Sequence, residues 1–434
     1  MIFNTRSLWP VIFPPIQEFP MKHFFPLFSV FLVLGPLLFL SACQSVSSAG
    51  KDPSSSPSVP RATVQDVLKL DRVNREVGYQ IVGGGEEVVF IFDPKLYGMS
   101  GVSRVYLEGS FNGWLKGTDE SWLLGPSSGS VWTITKKARE VRIPGNSGHP
   151  EFKFYVIKEN PKFPSEPNAV STLSGYQMAT NNLVLFPEDD PAEIAENIVT
   201  SNTVKALADF DLSSSEQAAI LSNVRLVPGT TALYRGYHPF KKSRSQYNTE
   251  DTRIGLVKAA LEKNGVKSVI TLSGEEKVSA AAGESLSPYY QSILDAGHQL
   301  TVNTSYNTVY YHSAEADFGN LVQQIVRFIN ANPGPYYVHC RLGTDRTGTI
   351  SAVLAGLCGA SWPAIAADYQ QSNRMGIKEF RDYHLLQYSF EKLLGAPVTA
   401  DTDLGNGLAS CFIRNGYLTQ ADISTLRERL SGDR

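Results

Sequence analysis

Tyr336-Tyr337-Val338-His339-Cys340-Arg341-Leu342-Gly343-Thr344-Asp345-Arg346-Thr347-Gly348 is the stretch on which the reading of this chain turns. The run from Pro335 to Val338 predicts a short strand, and Thr347 to Leu357 predicts a helix of small and apolar residues. A loop of this length between them can curl so that its backbone N–H groups converge on one anion. The helix N-terminus adds its partial positive charge to the same point. That field also favours Cys340 as a thiolate, the reactive form of cysteine. Arg346 returns to the centre, where its planar fork can hold two oxygens of the anion. Gly343 permits a tight turn, and Gly348 allows close packing where the helix begins.

Working outward, the texture from about Val199 onward alternates helical and strand-like segments. Thr252 to Asn264 predicts a helix and Lys267 to Leu272 a buried strand. Apolar residues at Phe318, Leu321, Val322, Ile325, Val326 and Ile329 predict a helix over Asp317 to Asn330. This order indicates an α/β domain with a central sheet flanked by helices, spanning 198–434.

The loop resembles the HCxxGxxRTG signature of the protein-tyrosine and dual-specificity phosphatase superfamily, with every fixed letter present. Asn223-Val224-Arg225, Leu233-Tyr234-Arg235 through Pro239, and Asp368-Tyr369 through Ser372-Asn373 resemble motifs of its bacterial tyrosine-phosphatase-like branch. The ending, Asn415 to Ile423, resembles that branch's final helical hairpin. The resemblance implies that Cys340 attacks phosphorus and forms a phosphocysteine that water hydrolyses. It implies that Arg346 and the amides of Arg341, Leu342, Gly343, Thr344 and Asp345 hold the phosphoryl group. It further implies that Thr347 bonds the leaving sulfur and that His339 orients the loop. Relatives often carry an aspartate about thirty residues before the cysteine as general acid. Here that zone, Tyr306 to His312, holds no carboxylate. Asp317 is the first choice among its neighbours, with Glu315 and Asp345 as rivals; Asp317 is equally readable as a helix N-terminal charge.

The rest of the 434 residues sets bounds. A net charge of −3 gives no broad positive field, so nucleic acid is not an expected partner. The four cysteines, Cys43, Cys340, Cys358 and Cys411, are too scattered for a disulfide scaffold or a zinc site, and no HExxH occurs. No catalytic metal and no cofactor are therefore expected. Cys358 and Cys411 suit packed helices, or a pair if the protein is exported.

Residues 78–190 read differently. Short apolar runs at Glu86 to Phe92, Val102 to Glu108, Ser130 to Thr135, Glu151 to Ile157 and Asn182 to Phe186 are separated by turn-rich segments. This spacing predicts an immunoglobulin-like β-sandwich, making the chain multidomain. Val105-Tyr106-Leu107-Glu108-Gly109-Ser110-Phe111-Asn112-Gly113-Trp114, Glu151-Phe152-Lys153-Phe154 and Asn181-Asn182 resemble the glycogen-binding module of AMP-activated kinase β subunits. They also resemble the N-terminal domain of isoamylase-type enzymes. The resemblance implies a sugar platform of Trp114, Lys153 and Asn181, with Phe163 in place of the usual second tryptophan. The alternative is that Trp114 packs within the domain.

At the N-terminus, Met21-Lys22-His23, an apolar run from Phe24 to Leu40, and Leu40-Ser41-Ala42-Cys43 resemble a bacterial lipoprotein signal. The expected organisation is a signal over 1–42, with translation starting at Met21, then lipidation at Cys43 and a tether over 43–77. A transmembrane anchor is the other reading of the apolar run. The expected location is the bacterial cell envelope, lipid-anchored and periplasmic or surface-facing. The expected function is hydrolysis of a phosphomonoester on a protein, lipid or glycan. The alternatives are a phosphoglucan phosphatase guided by the β module, or a binding lipoprotein with a decayed site.

Overall fold

Apolar side chains recur at every second residue through Val88, Phe90 and Phe92, and again through Phe152, Phe154 and Val156. In extended chain that period puts them all on one face. The computed structural model describes residues 68–159, 164–165, 177–178, 181–186 and 191–432. The signal, Cys43, most of the tether and Phe163 lie outside the described residues. After helix α1 (Arg72–Val77), the strands are β1 (Tyr79–Val82), β2 (Glu87–Phe92), β3 (Val102–Gly109), β4 (Gly125–Pro126), β5 (Trp132–Lys137), β6 (Glu151–Lys158) and β7 (Leu183–Val184).

These strands form two antiparallel sheets, ordered β1-β2-β5-β4 and β3-β6-β7. Their apolar faces share one core, in which the Phe90 and Phe152 rings meet edge to face at 5.0 Å. The last strand is shorter than the sequence suggests, two residues rather than five.

The remaining chain gives α2 (Pro191–Ser201), α3 (Ser215–Ser222), β8 (Arg225–Leu226), β9 (Leu233–Gly236), α4 (Glu250–Lys263) and β10 (Ser268–Thr271). There follow α5 (Pro288–Asp295), β11 (Gln299–Thr301), α6 (Tyr306–Tyr310), α7 (Ala316–Ala331) and β12 (Tyr336–His339). Helices α8 (Asp345–Leu357), α9 (Trp362–Gln371), α10 (Tyr383–Leu394), α11 (Leu404–Arg414) and α12 (Gln420–Ser431) complete it.

The sheet order is β11-β10-β12-β9-β8, parallel except for the antiparallel edge strand β8. Both faces are covered, as a parallel sheet requires. Ile270, Tyr336 and Val338 pack with α7 and α8, whereas Val269 and Tyr337 pack with α4 and α5. Helix α8 is buried on every side from Thr347 to Leu357, which explains its small, apolar sequence. β12 therefore ends, at the carboxyl edge of the sheet, beside a helix buried in the core.

Candidate active site

Loop polarity is the main fact of this site. Every carbonyl from Cys340 to Asp345 is engaged by the surrounding structure. Cys340 O faces His339 Nδ1 at 3.2 Å, and Arg341 O accepts from the His238 amide at 3.2 Å. Leu342 O accepts from Asn223 Nδ2 at 2.9 Å, and Gly343 O from an Arg235 guanidinium nitrogen at 2.6 Å. Thr344 O and Asp345 O accept from within the first turns of α8, at Gly348 N and Thr349 Oγ1. Among the described residues, no acceptor meets the amides of Arg341 to Arg346. With carbonyls turned out and amides left over, the loop is a ready cradle for an anion. Cys340 sits at its start, 3% exposed.

The outward bonds are themselves braced. Arg225 donates to Asn223 Oδ1 at 2.5 Å and to Asp368 Oδ1 at 2.5 Å. Arg235, fully buried, donates to Asp368 Oδ2 at 2.6 Å while its other nitrogen holds Gly343 O. Burial pushes the Asp368 carboxyl up, but Arg235 and Arg225 outweigh it and leave the group below its ordinary range. Burial and then Arg235 bring Arg225 down to about 10, still charged at neutral pH. The motif letters outside the loop thus serve to hold its carbonyls outward. Gly343 has φ +76, and a Cβ there would run into the Gly236 carbonyl.

His339 is buried under the loop. Its Nε2 lies 3.0 Å from Thr271 Oγ1, which accepts from Gln299 Nε2 at 3.3 Å and so has its own hydrogen free to give to the ring. Nδ1 then carries the ring proton and donates to Cys340 O. Burial, aided by Arg346, holds His339 down at about 4, so the ring is neutral at pH 7. Arg346 donates to Leu272 O at 3.3 Å and Thr304 O at 3.4 Å, contacts with neutral carbonyls that leave its charge uncompensated there.

Other expected residues fall variously. Arg341 pairs with Glu276 at 2.6 Å. Thr347 Oγ1 is buried with no hydrogen-bond partner among the described residues, Cys340 Sγ included. Asp345 Oδ1 accepts from Arg381 Nε at 2.7 Å and from Tyr310 at 3.1 Å, with Tyr369 donating to Tyr310 in turn. Glu315 pairs with His312 at 2.6 Å. Asp317, exposed near the start of α7, lines a cleft of about 600 Å³ with Thr304 and Ser305. Thr304 thus joins that cleft to Arg346.

In the β region, the expected sugar contacts do not all line one cleft. Trp114 lines a cleft of about 620 Å³ with Asn182 and Glu151, facing Tyr306, Tyr311 and Tyr388. Asn181 is exposed outside that cleft, and Lys153 lies on β6 opposite Glu108. Tyr311 donates to Pro144 O at 2.9 Å, tying this wall to the β region. Cys358 and Cys411 are free thiols. Residue reading missed Glu276, Thr271, Gln299, Tyr310 and Arg381, because each supports the loop from a distant segment without a spacing signal.

Residues 244–431 match the model of the tyrosine phosphatase family, which supports the phosphatase superfamily for the C-terminal domain. Among solved structures, the core catalytic domain of a PP-IP phosphatase from S. cerevisiae, in complex with citrate, is 18% identical. The match covers 45% of this chain and 94% of that one, with a TM-score of 0.25. No curated protein matches the chain. Among the described residues, no helix is long and apolar enough to cross a membrane.

Proposed function

We propose that the chain is a cysteine-dependent phosphomonoester hydrolase of the tyrosine or dual-specificity phosphatase type, acting through a phosphocysteine. The observation that carries this reading is the Cys340–Arg346 loop, with its carbonyls tied outward and its amides unpaired around a cysteine. Cys340 Sγ attacks phosphorus, the P–O ester bond breaks, and the departing oxygen takes a proton. Water then attacks the phosphocysteine, releasing inorganic phosphate and the thiolate. Arg346 and the amides of residues 341–346 stabilise the charge on the transferring group.

Asp317 is the proton donor in this scheme. Asp345 Oδ1 is already taken up by Arg381 and Tyr310, so that oxygen is tied into the loop's bracing rather than presented to a departing group. His339 acts as a neutral positioning group, and Thr347 supplies a hydroxyl for the departing sulfur. The test is hydrolysis of para-nitrophenyl phosphate by wild type, with none by Cys340→Ser. A wild type as inactive as the mutant on phosphopeptides, phosphoinositides, inositol phosphates and phosphoglucans would favour a decayed binding protein instead.

A second reading concerns the substrate. Trp114 faces three tyrosines across a cleft containing Asn182 and Glu151, a mixture of rings and polar tips suited to a sugar. In this reading the β region is an immunoglobulin-like glycogen-binding-type module, and a phosphorylated glycan runs from the cleft toward the loop. Retardation of the protein on a maltooligosaccharide affinity gel, lost in Trp114→Ala, is expected. Equal mobility of both proteins removes the reading. Placement in a bacterial envelope by a lipid on Cys43 rests on the signal-like stretch from Met21 to Cys43. Palmitate labelling that disappears in Cys43→Ala tests it.

A further inference from the structure

Away from the catalytic loop, three side chains with metal-binding chemistry meet where the β region touches the helices. His149 belongs to the turn before β6, Asp382 is the N-cap of α10, and His384 lies in that helix's first turn. One ligand atom from each lies within 4.8 Å of the other two. His149 Nε2 stands 3.5 Å from Asp382 Oδ1, His384 Nδ1 bonds the same carboxylate, and the two imidazole centroids are 4.6 Å apart. Tetrahedral zinc, with bonds of about 2.0–2.1 Å to nitrogen and oxygen, spaces its ligand atoms about 3.3–3.5 Å apart.

This convergence is held by contacts that do not involve the ligand atoms. The Asp382 amide donates to Ser147 O at 2.8 Å. Gly148 has φ +92, and a Cβ there would collide with Asp382, so the turn lies flush on the head of α10. The His149 ring packs edge-on against Phe186 at 5.1 Å, and Tyr383 stacks on His384 at 4.1 Å. His149 and Asp382 are 2% and 1% exposed, whereas His384 is 20% exposed and gives an ion its way in.

We propose that His149, Asp382 and His384 bind a divalent first-row transition-metal ion, with zinc the best fit, and clasp the turn at 145–149 to α10. Two imidazoles and one carboxylate are a ligand set for zinc, with water completing four-coordination. The site is structural. Arg381, the residue before Asp382, bonds Asp345 in the catalytic loop and lies 5.9 Å from the Tyr306 ring. A metal at residue 382 therefore fixes the backbone that carries a loop brace.

The test uses the full chain in detergent, stripped with chelator, dialysed, and reconstituted with zinc chloride. About one zinc per chain by elemental analysis, with a Tm rise of several degrees, is expected. His149→Ala and His384→Gln should lose both responses. Cys340→Ser should keep both, which separates this site from zinc captured by the catalytic thiol. Cobalt should give the visible absorption of a tetrahedral site in wild type and not in His384→Gln. Because His149→Ala also removes a packed ring, His384→Gln decides if that variant does not fold, with circular dichroism checking its fold. Wild type holding less than about a tenth of an equivalent, or His384→Gln binding as wild type does, overturns the proposal. So does loss of zinc in Cys340→Ser alone.

Discussion

Replacing Asp368 with asparagine isolates the brace from the chemistry. The side chain keeps its size and one carbonyl oxygen, but the negative charge between two buried guanidiniums is gone. Asp368 receives bonds of 2.5 Å from Arg225 and 2.6 Å from Arg235, and the Arg235 side chain is 1% exposed. Breaking a buried ion pair by removing one partner costs about 3–5 kcal/mol, because the charge left behind stays out of water. Against a total stability of about 5–15 kcal/mol, the variant should fold but melt about 10 °C lower. Urea unfolding followed by tryptophan fluorescence and by circular dichroism measures the difference. The sign with pH is fixed as well. The Asp368 carboxyl is held below its unfolded value of about 3.9, so its contribution is fully present above that pH and is lost as pH falls through the folded value. Asp368→Asn should therefore show a shallower acid loss of stability than wild type. Activity should fall too, by about 10²-fold in kcat/KM, since Arg235 no longer fixes Gly343 O. A loss below about 1 kcal/mol with unchanged kcat/KM would refute the claim that this network holds the loop.

Three further outcomes follow from the same geometry. Gly343→Ala should abolish phosphate binding, measured by vanadate inhibition or isothermal titration, because φ +76 and the Gly236 carbonyl exclude a Cβ. His339 is neutral above about 4, so its folded-state value lies below the unfolded one and its contribution is lost as pH falls from about 6.5 toward 4. His339→Gln should flatten the stability profile in that window, measured by urea midpoints at several pH values. Glu276→Gln leaves Arg341 without its carboxylate partner beside the loop, so inorganic phosphate should inhibit about three- to tenfold more tightly at low ionic strength, with the gain fading as salt screens the charge.

The loop and the sheet around it were legible because their signals are local. Helix α7 follows a 3.6-residue apolar repeat, and it forms one residue beyond the expected limits at each end. The strand at β10 and the strand-loop-helix at Cys340 depend on contiguous residues in the same way. The brace was only half legible. Asn223, Arg225, Arg235 and Asp368 stand out as motif letters, but nothing in their spacing says that they grip carbonyls more than a hundred residues away. Trp114 was legible only as a motif letter. The motif points to a platform with Lys153 and Asn181, and it carries no sign that the backbone turns at Trp114 with φ 59 or that the residue lines a cleft formed with α6 and α10. A left-handed turn redirects a side chain without leaving a periodic mark in the sequence.

The two halves of the site are built to different degrees of rigidity. On one side, each loop carbonyl is tied, the supporting arginines are buried, and β12 and α8 have no exposed face. In the proposed reaction such a surface holds the group common to all phosphomonoesters, and its packing leaves it little capacity to adapt. On the other side lies the segment from Thr304 to His312, which touches Arg346 through one carbonyl and presents Ser305 and Asn307 to solvent. One end of this segment borders the cleft with Asp317 and the other borders the cleft with Trp114. In the proposed reaction the departing group lies on the side of the loop that this segment borders, next to the proposed donor Asp317. Discrimination among phosphorylated proteins, lipids and glycans in that reaction is therefore expected of Tyr306, Asn307 and Tyr311, and the chemistry of the Cys340 loop.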